Sequence, residues 1–83
     1  MKSKYKINEI VQLTGYSYPS IIHIIDILGI PIQQDTFKKV SHNDLKRLLF
    51  LIRFHEKTSI KYEVINTLSD DQINSINIVF SKI

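Results

Sequence analysis

Apolar residues recur at helical spacing along most of the chain. Ile7, Ile10, Val11 and Leu13 follow one another at short helical intervals, and Gly15 comes next as a residue free to take positive φ. The pattern predicts a helix over residues 7–14 capped at its C-terminus by Gly15. Ser17 is an N-cap residue type, and Pro19 falls in the first turn of the next helix, where its missing N–H costs little. This second helix is expected over 18–28, with Ile21, Ile24, Ile25 and Leu28 as its buried stripe and Gly29 as its stop. In IPIQQDTFKKVS the period changes: Ile30 and Ile32 flank Pro31, and Phe37 and Val40 follow a polar tip. Two short strands between Ile30 and Val40 are expected, forming a β-hairpin whose first strand Pro31 confines to an edge. Ser41 opens a helix over 42–57, with Asp44 in the capping-box position that Glu fits better. Leu45, Leu48, Leu49 and Ile52 line one face of it and Phe50, Leu51 and Phe54 another. A domain of this size seldom covers both, so part of this surface is expected to meet further chain or a partner. Ser59 is expected to cap a short helix over 60–68. Ser69 and Gln72 form a capping-box pair for a last helix over 70–81, whose Ile73, Ile76, Phe80 and Ile83 make a heptad-like seam, too short for a free coiled coil.

With 83 residues and no repeat, low-complexity tract or linker, the chain reads as a single domain over 1–83, mainly α with one short β-hairpin and C-terminal helices. No apolar run approaches the ~18 residues a membrane span needs, so no membrane partner is expected. The polar residues 1–9 predict no signal peptide, and a cytoplasmic location is the simplest reading. The absence of cysteine removes disulfides, thiol nucleophiles and cysteine-ligated metals. His23, His42 and His55 show no ligand spacing, so no metal or other cofactor is expected. Both glycines, Gly15 and Gly29, fall at helix ends, which leaves no phosphate-cradling glycine loop. No Ser/His/Asp arrangement or paired carboxylate emerges either, and the chain reads as non-enzymatic. The net charge of +3 permits an anionic polymer as partner without demanding one.

The run YKINEIVQLTGYSYPSI, then LGI, then FKKVSHNDLKRLLFLIRF and SIKYEVINTLS, resembles the MerR-like winged helix-turn-helix superfamily. That group includes MerR regulators, phage excisionases and the N-terminal domains of plasmid-partition proteins. The resemblance covers about residues 5–69. It implies a winged helix-turn-helix that binds double-stranded DNA, with the helix over 18–28 in the major groove and the hairpin as a wing on the flanking backbone. Carried onto this sequence, the DNA-binding residues are Tyr16, Ser17, Tyr18, Ser20, Ile22 and His23 around the second helix. Lys38 and Lys39 on the wing and Lys4 and Lys6 on an N-terminal arm that also holds Lys2 complete the set. The family commonly pairs its DNA-binding domains through a helix beyond the core. That implies a homodimer made by the segment over about 70–83, through Ile73, Ile76, Phe80 and Ile83; the competing expectation is that this helix folds back onto Phe50, Leu51 and Phe54 of its own chain and leaves a monomer.

The chain also departs from the family pattern. From Ser17 to Leu28 there is no Lys or Arg, and the wing has no arginine at its tip. Guanine readout by bidentate cations is therefore missing from the helix. Tyr and Ser hydroxyls can hold phosphates, and Ile22 can pack on thymine methyls, which favours A·T-rich sites. Affinity would then rest on the lysines. Each of these residues has a plainer reading. Ile22 covers a core edge or a partner, and His23 is simply solvated. Lys38 and Lys39 guard a strand edge against aggregation, and the N-terminal lysines form a frayed, solubilising arm. The main alternative function is a helix-turn-helix scaffold reused to hold a host or viral protein in place of DNA.

Overall fold

The computed structural model describes residues 3–34 and 36–82. Its elements are β1 (Lys4–Lys6), α1 (Ile7–Thr14), α2 (Tyr18–Leu28), β2 (Gln33–Gln34), β3 (Lys38–Ser41), α3 (His42–Thr58), α4 (Tyr62–Ile65) and α5 (Asp70–Ser81). The fold is mainly helical, with one small antiparallel sheet in the order β1-β3-β2.

Three expected helices begin and end where their caps dictate. The Lys6 N–H donates to the Glu9 carboxylate at 3.1 Å, which starts α1. Ser17 Oγ accepts from the Ser20 N–H, and Ser69 and Gln72 exchange reciprocal bonds of 3.2 and 2.8 Å. At Ser41 the hydroxyl accepts from the Asp44 N–H and donates to the Asp44 carboxylate at 2.9 Å. The shorter acid thus turns to the hydroxyl and does not complete a capping box. Gly29 ends α2 at φ 66, and the Ile30 N–H reaches back to the Ile25 carbonyl. Buried Ile30 supplies the apolar contact that accompanies this kind of stop.

Three expectations need correction. Residues 4–6 are not a free arm. Tyr5 stands opposite Val40 in an antiparallel pairing that also sets Lys4 against Ser41 and Lys6 against Lys39. Val40 is fully buried and Tyr5 half-buried, so one inward aromatic holds a strand whose other two residues are lysines. The first hairpin strand begins only at Gln33, because Ile30 belongs to the helix stop and Pro31 has no N–H to give a ladder. Ser59 does not open the next helix but closes α3, in the left-handed region at φ 60 and with its N–H on the His55 carbonyl. Thr58 Oγ1 donates to the Phe54 carbonyl and accepts from the Ile60 N–H, repeating the arrangement of Thr14 with Ile10 and Tyr16 at the end of α1. What remains of the expected 60–68 helix is the single turn α4.

The core is made by Ile7 and Ile10 of α1, the four expected residues of α2, Ile30, Val40, five residues of α3, and Tyr62, Ile65 and Ile73. Leu51 and Phe54 are buried together with Leu45, Leu48 and Ile52, while Phe50 on the same helix stays 42% exposed. Asp70, Ile73 and Asn74 lie beside Arg47 and Phe50, and the Lys57 ammonium donates to Asn77 Oδ1 and Ser81 Oγ, so α5 runs alongside α3. Ile73 is therefore spent in this chain's own core and Ile76 is packed against it. The bare apolar residues of α5 are Ile78, Val79 and Phe80. Ile83, the last residue of the expected seam, and Lys2 of the expected arm lie outside the described residues. No helix among the described residues is long and apolar enough to cross a membrane.

Candidate nucleic-acid interface

The sheet has an inner and an outer face, and the alternation of strand residues decides what each carries. Tyr5 and Val40 face the core. Lys4 and Lys6 of β1 and Lys39 of β3 fall on the opposite face, with Lys6 and Lys39 directly across from each other and Gln33 on the far side of Lys39. Like charges in directly opposite positions destabilise a sheet, by an amount on the order of 0.2–1 kcal/mol. Nothing in the folding of the sheet requires lysine at both places.

Phe37, the residue before β3, is 51% exposed. The Lys6 ammonium sits over its ring, 4.2 Å from the centroid, a cation–π contact of about 0.5–1 kcal/mol at such an exposed site. Lys6, Asn8, Tyr18 and Lys38 surround Phe37 in one shallow hollow. Residues from β1, α1, α2 and β3 thus meet at the N-terminal end of α2. Sequence reasoning singled out Lys6, Tyr18 and Lys38 for this surface and missed Phe37 and Asn8. The available signal was a large aromatic between a polar tip and two lysines. Lys38 also lines a second groove, along α2, with Ile22, Asp26, Gly29 and Ile32.

The other expected residues divide. Ser17, Ser20 and His23 are exposed on α2 and its cap. The Ser17 hydroxyl is engaged by the helix cap and donates to Ser20 Oγ at 2.8 Å, so these two side chains reach outward only through their remaining lone pairs and the Ser20 proton. Ile22 is half-buried, packed on the core edge beside the hairpin, and is not the exposed apolar group its position suggested. The outermost residues of α2 include Pro19, His23 and Asp26, so the helix presents a carboxylate and no lysine or arginine.

Tyr16 is set apart from this cluster. Its hydroxyl donates to Glu56 Oε2 at 3.0 Å, and it lines a different groove with Leu13, Leu49 and Arg53. Burial, and then the hydrogen bond and charge of Glu56, push the Tyr16 phenol above its ordinary range. Tyr62 lies next to it, stacked on His55 at 4.2 Å between centroids, with its own hydroxyl buried and without a well-formed hydrogen bond. The His55 Nδ1 stands 2.7 Å from the Ile60 carbonyl, which requires a proton on that nitrogen. This group ties the α1–α2 turn, α3 and α4 together and lies apart from the hollow beside Tyr18. Among the described residues no three His, Asp or Glu side chains could hold a metal ion.

The lysine pair across β1 and β3 yields a stability test. Lys39→Glu converts a like-charge cross-strand pair into an opposite-charge pair. It is expected to raise the stability of the free protein by about 0.2–1 kcal/mol at low salt, with the gain shrinking as salt is added. Denaturant unfolding at two ionic strengths measures it; a loss of stability would mean that Lys39 serves the fold.

A scan against protein-family models and searches of curated proteins and of solved structures give no match to this chain.

Proposed function

We propose that this chain binds duplex DNA as a winged helix-turn-helix of the MerR-like kind, in which α1 and α2 form the helix-turn-helix and β2–β3 the wing. It would act, without catalysis or cofactor, in the cytoplasm as a small regulator, excisionase or partition factor of a phage, plasmid or other mobile element. The observation that carries the reading is that Lys4, Lys6 and Lys39 share the outer face of one sheet, with Lys6 and Lys39 directly opposite, while Lys6 and Lys38 line the hollow beside Tyr18 at the N-terminal end of α2. A repulsive pair that the fold does not need is relieved when a polyanion lies across it, and release of condensed counterions from DNA supplies the drive. That no polar or charged side chain is buried among the described residues also fits a protein that works through its surface. On this reading α2 fits the groove through Tyr18, Ser20 and His23, while the sheet supplies most of the affinity. Asp26 opposes close approach of phosphate at the other end of the helix.

The protein-partner alternative loses its main support once Ile22 is packed on the core. The exposed Phe50, Ile78, Val79 and Phe80 instead favour self-association, with two copies meeting along the C-terminal half of α5.

Reversing Lys38 and Lys39 together to Glu is expected to weaken binding to every duplex and to lower the salt slope by about 0.9 for each phosphate no longer neutralised. Tyr18→Ala, Ser20→Ala and His23→Ala are expected to change sequence preference with the slope kept. Gel-shift titrations over a salt series separate the two classes. Folded wild-type protein that binds no duplex at low salt would refute the DNA reading and pass its weight to a protein partner.

For self-association, light scattering of the wild type should give a dimer mass, and the double change of Val79 and Phe80 to Asp should give a folded monomer. A wild-type monomer at high micromolar concentration rules the dimer out.

A further inference from the structure

Among the described residues, Phe37 is the one large apolar side chain on the outer, lysine-bearing side of the sheet. Half of it is exposed, and none of the buried core depends on it. The alternation of the hairpin would be satisfied there by any polar residue. The Lys6 ammonium lies over one face of the ring at 4.2 Å, and Asn8, Tyr18 and Lys38 line the same hollow. A side chain with only two rotatable bonds and a cation on one face presents an apolar edge to the solvent. Cations neighbour it: the Lys6 ammonium of β1 lies over the ring, and Lys38 and Lys39 follow it in sequence on β3.

We propose, resting on the duplex-DNA reading above, that Phe37 is an apolar wedge that enters the minor groove beside the hairpin and partly unstacks one base step. The chemistry is that of a hydrophobic side chain inserted between base pairs while flanking cations hold the phosphates on either side. The geometry meets three requirements of such a wedge. The ring is half exposed immediately before β3, at the end of the sheet away from Ser41. It has only two rotatable bonds, so little freedom is lost on insertion. Its bracing group is itself a cation, so the same Lys6 that positions the ring also sits where a phosphate passes. The step most easily opened is a pyrimidine–purine step, TA above all. The wedge therefore gives the protein a preference for TA-containing, A·T-rich sequence that does not depend on base-edge contacts from α2.

The test uses the full chain and a short A·T-rich duplex carrying 2-aminopurine, a fluorescent adenine analogue quenched by stacking, at a central TA step. Binding is followed by anisotropy and unstacking by 2-aminopurine emission on the same sample. Saturating wild-type protein should raise the emission. Phe37→Ala should bind about tenfold more weakly, with the same salt slope because every lysine remains in place, and should leave the emission unchanged at saturation. Phe37→Leu, which keeps an apolar wedge without the ring, should retain part of the rise. A thermal melt of each variant establishes that it is folded, as the half-exposed position of Phe37 allows. If wild-type protein binds but the emission stays flat, or if bound Phe37→Ala raises it as much as wild type, the wedge is wrong and duplex binding stands. If no binding is seen at low salt, the DNA reading falls and the wedge falls with it.

Discussion

The pairing of residues 4–6 with residues 39–41 determines most of what this molecule can do. Tyr5 over Val40 is the only inward-facing pair in that ladder, and an aromatic on a β-branched residue contributes on the order of 0.2–1 kcal/mol. The same ladder forces Lys6 against Lys39, which takes back a similar amount. The strand is kept because it closes the sheet over Val40 and carries the chain into α1 through the Lys6–Glu9 cap. The Ser3 carbonyl also receives the first N–H of α3. One short pairing thereby fixes the start of two helices and leaves a row of ammonium groups on the open side.

On the proposed reading, that arrangement lets a helix without lysine or arginine take part in binding DNA. α2 is anchored by four buried aliphatic residues and shows the solvent Pro19, His23 and Asp26. Such a helix can fit a groove but cannot draw the polymer in. The sheet beside it has the opposite character, rich in charge and poor in shape. Phosphate contacts position a protein and base contacts specify sequence, and on the proposed reading this chain assigns the two tasks to different elements. On that reading the like-charge pair at Lys6 and Lys39 is the cost in stability of the binding surface.

Much of the fold was legible in the sequence because its helices carry strong local signals. Gly15, Ser17, Gly29, Ser41 and Ser69 mark ends of α1, α2, α3 and α5 through contacts within three to five residues, which depend little on the rest of the fold. The misses have non-local or competing causes. β1 is three residues long, two of them lysine, and it forms only because Val40 lies far along the chain to receive Tyr5. Ser59 is chemically a good N-cap, but the Thr58 hydroxyl and the left-handed turn claim it for the end of α3. Phe50 fell in an apolar cluster with Leu51 and Phe54, yet the core takes only those two. In the candidate site, Tyr18 and Lys38 were named on the elements that carry them, whereas Lys6 was named on a free arm and lies on β1. Phe37 was not named, because its meaning lies in the ammonium above it, which arrives from another strand. Tyr16 was misplaced by its nearness in sequence to Tyr18: its hydroxyl is turned to Glu56, on α3.

The central claim is that the lysine face of the sheet and the N-terminal end of α2 form one surface for duplex DNA. Backbone amide shifts of the labelled protein, followed during titration with an A·T-rich duplex at low salt, test it directly. The account predicts the largest changes at residues 4–6, 17–20 and 36–41, with the amides of α5 unmoved or affected only through self-association. Changes confined to α3 and α5 around Phe50 and Phe80, with the sheet silent, would contradict it.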